Sequence, residues 1–149
     1  MNIIDYDKKY EQDAIELIND IKFNELGWAR PVSPDFMTKF SNGHSHIWFA
    51  VEKDKVIGTI ALQDMDNGQG YLKRMYLAKE YRGRGAAQEL FDTLMNYAKD
   101  KGFTEIYLGT LPNAKRAIAF YEKNGFIEIV KLPDNFDDGN DTFFMKLKF

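Results

Sequence analysis

Alternation of hydrophobic and polar positions predicts strands in the middle of the chain. One alternating run covers Ile47–Glu52 and another covers Val56–Leu62, with the turn Lys53–Lys55 between them. A second turn follows at Asn67-Gly68, whose residues readily adopt positive φ, and it leads into the run Tyr71–Leu77. The pattern therefore predicts three consecutive antiparallel strands.

Spacings of three and four residues between apolar positions predict helices on both sides of these strands. Asp7 can cap a first helix, Ser33 can cap a short helix through Phe40, and Pro112-Asn113 opens a last helix that ends at Asn124-Gly125. A central helix ends at Gly102, and its apolar positions are Ala87, Leu90, Phe91, Leu94 and Ala98.

Four further apolar runs complete the sheet. Ile3-Ile4 predicts an edge strand, and Phe126–Val130 and Thr142–Phe149 predict a final pair. Glu105–Gly109 reads as a buried strand, and the helical crossover before it makes it parallel to Tyr71–Leu77. We therefore expect one α/β (α+β) domain over residues 1–149, with a mixed, mostly antiparallel sheet of about seven strands and about four helices.

The strongest chemical signal is the turn that opens the central helix. Gly83 lies between Arg82 and Arg84, and Gly85 follows Arg84. Unpaired amides and the positive end of a helix dipole at this position favour an anion such as phosphate. Glycine pairs also mark ordinary turns, so the motif alone is a weak signal. The gap between Leu77 and Leu108, where the strand order switches, is expected to lie beside this turn.

Composition narrows the classes of function. A length of 149 residues with 44% hydrophobic content suits a single folded domain, and a net charge of −3 argues against a nucleic-acid module. Cysteine is absent, which excludes disulfides, thiolate zinc sites and acyl-cysteine intermediates. Without a stretch of about 18 apolar residues or a leader-like N-terminus, we expect a cytoplasmic protein with no membrane partner.

Two motifs resemble those of the GNAT (Gcn5-related) N-acetyltransferase family. Arg82-x-x-Gly85-x-Ala87 fits the signature Q/R-x-x-G-x-G/A, and Ala119–Phe126 is similar to the family's helix ending in Y-E-K-x-G-F. Both occur in the family's order, and the resemblance extends less sharply from Ile47 to the C-terminus. It implies the GNAT acyl-CoA N-acyltransferase fold.

The resemblance also implies a binding mode for the donor, acetyl-coenzyme A, without any metal. The pantetheine arm is expected along Met75, Tyr76 and Leu77, where it pairs with backbone groups of Met75 and Leu77. The pyrophosphate is expected on the amides of the glycine turn, which belong to Arg82, Gly83, Arg84, Gly85, Ala86 and Ala87.

Tyr121 occupies the position where the family has a catalytic tyrosine. The resemblance implies that it protonates the departing thiolate, although a tyrosine on this helix face could also be a core residue. Many relatives carry a coenzyme-contacting asparagine seven residues earlier, a position that here is Ala114. Asn113 lies one residue before it and either contacts the coenzyme or caps the helix.

The general base is not identified by the sequence. An amine acceptor must lose a proton before it attacks the thioester, and several relatives place a glutamate early in the strand that here begins Gly70-Tyr71. The candidates left open are Glu52, Asp64, Glu105, His46 and a water molecule. The closely spaced His44 and His46 also suggest a metal site, but two solvated histidines without a third ligand are the favoured interpretation.

We thus expect direct acetyl transfer to a primary amine of a small molecule or peptide in a ternary complex. The alternative is a non-catalytic sensor or interaction module that binds coenzyme A or its acyl form. Three segments are expected to line the acceptor pocket: Phe23–Phe40 with Trp28 and Arg30, Gln63–Gly70, and Leu132–Asp141. Four aspartates in the last segment, Asp134, Asp137, Asp138 and Asp141, suggest a cationic acceptor. The apolar strand Phe143–Phe149 could pair two copies into a homodimer.

Overall fold

A computed structural model describes residues 1–27, 31–32 and 36–149. Its centre is one seven-stranded sheet in the order β1-β2-β3-β4-β5-β7-β6. The strands are β1 (Asn2–Asp5), β2 (His46–Glu52), β3 (Lys55–Asp64), β4 (Gln69–Leu77), β5 (Glu105–Thr110), β6 (Ile127–Ile129) and β7 (Phe143–Lys148). All seven lie where the sequence predicted them, although His46 belongs to β2 rather than to the preceding loop.

The strand directions follow from the connections. The short turns at Lys53-Asp54 and Asp66–Gly68, where these residues have positive φ, make β2, β3 and β4 antiparallel neighbours. The helical crossover between β4 and β5 makes these two strands parallel, while β5, β7 and β6 pair antiparallel. The predicted mixed, mostly antiparallel sheet is confirmed.

Within the described ranges, three α-helices pack on the sheet: α1 (Glu11–Asn24), α2 (Ala86–Asp100) and α3 (Lys115–Lys123). Asp7 does form the predicted cap, but it caps a 3-10 turn, Lys8–Tyr10, that precedes α1. The fourth predicted helix is a 3-10 helix, Phe36–Phe40, and its proposed cap Ser33 lies outside the described residues. Among these residues, no helix has the length and apolarity needed to cross a membrane.

The core consists of two layers, one on each face of the sheet. On the first face, α2 buries Leu90 and Leu94 completely against β3. On the second face, α1 buries Ala14 and Ile18 against β2 and β3. A smaller cluster around Tyr71 fixes the segment 130–142 to the second face. The two faces therefore carry different neighbours, and this difference determines what lies on each side of the site.

Candidate active site

The site is a cleft that opens where β4 and β5 separate. The two strands pair only at their beginnings, where Gln69–Tyr71 lies beside Glu105–Tyr107. Beyond this point, β4 continues to pair with β3 up to Leu77, and β5 continues to pair with β7 up to Thr110. The end of β4 thus stays beside β3, the end of β5 stays beside β7, and the two ends diverge from each other. The predicted gap beside the glycine turn is present, and we call it the cleft.

A β-bulge in β4 gives the cleft two chemically different sides. Lys73 pairs with Ala61 and Tyr76 with Thr59, so β4 contains one more residue than β3 over this stretch. The extra residue is Arg74, which has φ 54°, and its carbonyl accepts a hydrogen bond of 2.6 Å from the Thr59 hydroxyl. Sequence reasoning missed this bulge because arginine carries no signal for positive φ.

The bulge separates residues that a regular strand would place on one face. Met75 joins the core on the α2 face, whereas Tyr76 joins the core on the α1 face together with Ala61, the partner of Lys73. Without the bulge, Lys73 and Met75 would point the same way because side chains alternate along a strand. We call the α2 side of the cleft the donor face and the α1 side the acceptor face.

The glycine turn lies at the end of β4 and opens α2. Gly83 and Gly85 have φ of 77° and 84°, a conformation that glycine adopts without the strain of a Cβ. Gly85 is the N-cap residue of α2, and its carbonyl accepts the first helical hydrogen bond from Glu89. The amides of the first turn of an α-helix have no partner within the helix and are the donors that an anion can use.

Arg82 plays a different part from the one expected. Its amide donates to the Lys79 carbonyl at 3.2 Å, so the amides that suit a phosphate begin at Gly83. Its guanidinium donates to the Leu77 carbonyl from Nε (3.1 Å) and a terminal nitrogen (2.9 Å), and to both carboxylate oxygens of Glu25. These bonds occupy both lone pairs of the Leu77 carbonyl and leave only the amide of Leu77 for pairing with a ligand.

Tyr121 reaches the cleft from α3. Its side chain is 8% exposed, and its hydroxyl donates to Sδ of Met75 at 3.5 Å, so it lies on the donor face at β4. Rings of Phe120 and Phe126 pack around it with centroid distances of 5.7 Å. Burial, with a smaller contribution from Tyr76, raises the pKa of Tyr121. The hydroxyl therefore keeps its proton at neutral pH.

The helix that carries Tyr121 begins later than predicted. Ala114 is the N-cap residue of α3, and no side chain hydrogen-bonds to the helix there. Asn113 lies one residue before the cap on an exposed turn. The interpretation of Asn113 as a helix cap is wrong, because an N-cap side chain must flank the first helical residue directly. Its contact with a coenzyme stays a prediction.

Three of the predicted base candidates lie at the closed end of the cleft. Asp64 pairs in register with Gly70, Glu105 with Gln69, and His46 with Leu62, all near the start of β4. The Tyr121 hydroxyl lies at Met75, roughly 10–20 Å farther along β4 at about 3.3 Å per residue. A base at that distance cannot contact an amine beside Tyr121.

The local bonds of these candidates also suit structural roles. The Tyr107 hydroxyl and then Lys146 lower the pKa of Glu105, and His46 Nε2 lies 2.9 Å from Asp5 Oδ1. Glu52, at the end of β2, binds the N-terminal amine at 3.2 Å, and the Tyr81 hydroxyl lowers its pKa. In the described part of the chain, no three histidine, aspartate or glutamate side chains are grouped to hold a metal ion.

The acceptor face carries a cluster of charged and phenolic side chains. Lys73 Nζ lies 4.3 Å from the centre of the Tyr71 ring, and the Tyr71 hydroxyl donates to the Asp137 carbonyl at 2.9 Å. Burial lowers the pKa of Lys73 and raises that of Asp141, and the charge of Asp141 raises the pKa of Tyr76 in addition to burial. Lys73, Tyr76 and Asp141 therefore lie within electrostatic reach of each other.

The structure brings part of the predicted acceptor pocket together. The segment Leu132–Asp141 does lie beside the cleft, whereas Gln63–Gly70 lies at the closed end. Trp28 and Arg30 lie outside the described residues. Among the four predicted aspartates, Asp141 faces β4, while Asp134 is exposed beside Lys131.

Comparisons with known proteins agree with this geometry. The family model described as acetyltransferase (GNAT) family matches residues 12–126 of the sequence. N-alpha-acetyltransferase 30 of Schizosaccharomyces pombe is 30% identical over 148 residues, 96% of this chain and 95% of that protein. N-alpha-acetyltransferase MAK3 of Arabidopsis thaliana is 34% identical over 105 residues, which make up 68% of this chain and 55% of that protein. A GNAT-family acetyltransferase structure from Staphylococcus aureus Mu50 superposes with a TM-score of 0.90, at 30% identity, and covers 99% of this chain and 98% of its own.

Proposed function

Because the chain belongs to the acetyltransferase (GNAT) family, we propose that it transfers the acetyl group of acetyl-coenzyme A directly to a primary amine. Family membership confirms the resemblance that the glycine turn and the Tyr121 helix indicated. The observation that supports direct transfer best is the position of the Tyr121 hydroxyl, which lies at Met75 on the donor face of the cleft. A protonated phenol at this place can deliver a proton to a departing thiolate.

The residues of the donor face fit acetyl-coenzyme A, which supplies the acetyl thioester when bound. A Cβ built on Gly83 or Gly85 would contact nothing within 4 Å, so the turn is open to an approaching pyrophosphate. The amides from Gly83 to Ala87 and the dipole of α2 then bind the charge. The backbone of Met75, Tyr76 and the Leu77 amide line the path from this turn to Tyr121.

The amine acceptor would enter from the other face. The ammonium form of a primary amine must lose two of its three protons as the C–N bond forms and the C–S bond breaks. One proton leaves through a base, and the other compensates the proton that Tyr121 gives to the thiolate. We propose the α-amine of a peptide as the first acceptor class to test, because two relatives are named N-alpha-acetyltransferases. A cationic small amine is the second class, supported by the aspartates of the 130–142 segment.

Two measurements on the purified protein test the proposal. Acetyl-coenzyme A at 100 times its dissociation constant should raise the free energy of unfolding by about 2.7 kcal/mol. Release of free thiol should then depend on an added amine, with a pool of short peptides bearing free α-amines and spermidine as the probes. Binding without amine-dependent release would support the sensor alternative, and absence of binding would contradict both.

A further inference from the structure

We propose that Asp141 is the group that binds the acceptor amine and takes its proton, and that Gly109 leaves the space for its carboxylate. The inference rests on the proposed amine acetylation and names the base that the sequence left open. It assigns the role of base to a loop aspartate, whereas three of the four sequence candidates lie at the closed end of the cleft and Glu52 binds the N-terminal amine.

The position of Asp141 comes from the pairing of β5 with β7. Gly109 pairs with Phe144 and Thr110 with Phe143, and the amide of Thr142 donates to the Thr110 carbonyl at 3.1 Å. Asp141 therefore lies two residues before β7, beside the end of β5 that lines the cleft. Its amide donates to the Asp138 carbonyl at 3.0 Å, which fixes the turn that delivers it.

Gly109 provides the room that this carboxylate needs. A Cβ built on Gly109 would lie 2.8 Å from Oδ2 of Asp141, closer than real Cβ contacts allow, and 3.1 Å from its Cβ, which is tighter than most. The side chain of Asp141 thus covers the backbone of Gly109 at the acceptor face. Any other residue at position 109 would push the carboxylate away.

Asp141, the proposed proton acceptor, and Tyr121, the proposed proton donor, lie on opposite sides of Tyr76. The charge of Asp141 acts on Tyr76 from the acceptor face, and Tyr76 acts on Tyr121, which lies on the donor face. An acceptor nitrogen between them would meet a carboxylate on one side and a thioester on the other. This is the order that proton removal, attack and thiolate departure require.

The surroundings of Asp141 suit a base. Burial raises its pKa, and this effect is opposed by the cation of Lys73 and strengthened by Asp138. A raised pKa makes the ionised carboxylate a stronger proton acceptor. Other charged and titratable groups act on this cluster from β4, the 130–142 segment and the 3-10 helix Phe36–Phe40. They are Tyr71, Lys73, Arg74, Tyr76, Asp137, Asp138 and Lys39.

Two protons leave the acceptor nitrogen during the transfer. The acceptor ammonium gives one proton to Asp141, and its lone pair then forms the bond to the acetyl carbon. The C–S bond breaks as Tyr121 gives its proton to the thiolate. The second proton lost by the nitrogen then restores the Tyr121 hydroxyl, and Asp141 releases its proton to solvent. No additional reactant is required.

The test compares Asp141→Asn with Asp100→Asn, a substitution at an exposed carboxylate at the C-terminal end of α2. With the peptide pool and spermidine as probes, we expect Asp141→Asn to lower kcat/KM at pH 7 by about 10²–10⁴-fold. The acid limb of the wild-type profile should reflect the raised pKa of Asp141 and should disappear in Asp141→Asn. Asp100→Asn should retain both the rate and the profile.

Two further variants separate a base from a structural aspartate. Lys73→Met removes a cation that lowers the pKa of Asp141, so the acid limb should move to higher pH; if Lys73 were the base, activity would be lost instead. Gly109→Asp combined with Asp141→Ala places a carboxylate in the vacated space and should restore part of the activity. The matched pair Gly109→Asn with Asp141→Ala should not.

Direct titration by NMR provides a readout that needs no turnover. The Asp141 carboxyl carbon in the free protein should titrate above its ordinary range, and Gly109→Ala should alter that titration. If wild-type protein acetylates amines but Asp141→Asn keeps its rate and pH profile, the role of Asp141 is overturned while the proposed function stands. If wild-type protein acetylates neither probe, the proposed function fails and the catalytic role of Asp141 fails with it.

Discussion

Arg82 and Glu25 join the glycine turn to the end of α1 through two hydrogen bonds of 2.6 and 3.1 Å. The same guanidinium holds the carbonyl of Leu77 at the end of β4. One side chain thus connects the segment that carries the phosphate-binding amides, the wall of the cleft and the end of α1. Arg82, the first residue of the motif, therefore positions these parts and does not use its charge to contact the donor.

We expect Arg82→Ala to lower the free energy of unfolding by about 2–3 kcal/mol, because a charged hydrogen bond of a partly buried group contributes roughly 1.5–3 kcal/mol. Glu25→Gln should cost less, about 1 kcal/mol, since the bonds to Leu77 remain. Urea unfolding of both single variants and the double variant gives the coupling between them. Additive costs would show that the ion pair contributes nothing.

Gly85→Ala should weaken acetyl-coenzyme A binding at least tenfold and lower stability by about 1–2 kcal/mol, the cost of a Cβ at positive φ. Gly102→Ala is the matched control, because Gly102 also has φ 84° and open space around its Cβ but lies at the other end of α2. Calorimetric titration should show full affinity in that variant. Equal loss in both variants would attribute the effect to helix stability and not to the phosphate site.

Tyr121→Phe should reduce kcat by about 10²–10⁴-fold and leave acetyl-coenzyme A affinity unchanged, since a general acid acts in the transition state. The lost hydroxyl contacts only a thioether, so the free energy of unfolding should change by less than about 1 kcal/mol. Tyr97→Phe is the control, because its hydroxyl donates to the His44 carbonyl outside the cleft. Full turnover in Tyr121→Phe would exclude the tyrosine as the proton donor.

Asp64→Ala should affect stability but not the chemistry. Its two oxygens accept the amides of His44 and Asp66 at 2.9 Å, so their loss should cost about 1–3 kcal/mol. The kcat of the folded fraction and its pH profile should stay as in the wild type, because Asp64 lies at the closed end of the cleft. A shifted acid limb in Asp64→Ala would return this residue to the list of bases.

Local patterns were sufficient to predict the elements of the fold. The alternating runs fixed β2, β3 and β4, and the positive-φ turn at Asn67-Gly68 and the stop at Gly102 were recognisable because glycine and asparagine favour that conformation. Tyr121 was also identifiable, since its motif is continuous in sequence. These features depend on neighbours within a few residues.

The acceptor face could not be predicted in the same way. The bulge at Arg74 depends on the Thr59 hydroxyl of the next strand, and the place of Asp141 depends on Gly109, which is distant in sequence. Neither residue type signals its role locally. The sequence candidates for the base were Glu52, Asp64, Glu105, His46 and water, whereas the base that we propose comes from the segment before β7, which the sheet pairing brings to the cleft.

Buried tyrosines should make the protein lose stability in alkaline solution. Burial raises the pKa of Tyr121 and of Tyr71, so between their ordinary value near 10 and the raised value, the unfolded chain releases protons that the folded chain keeps. The unfolded state then binds fewer protons, and the free energy of unfolding must fall as the pH rises, by about 1.4 kcal/mol per pH unit for each such group. Tyr121→Phe removes one group, so its stability relative to the wild type should improve by about that amount per pH unit above pH 10. Urea unfolding of both proteins at pH 8, 10 and 11 measures this difference, and parallel curves would show that the Tyr121 hydroxyl titrates as it does in water.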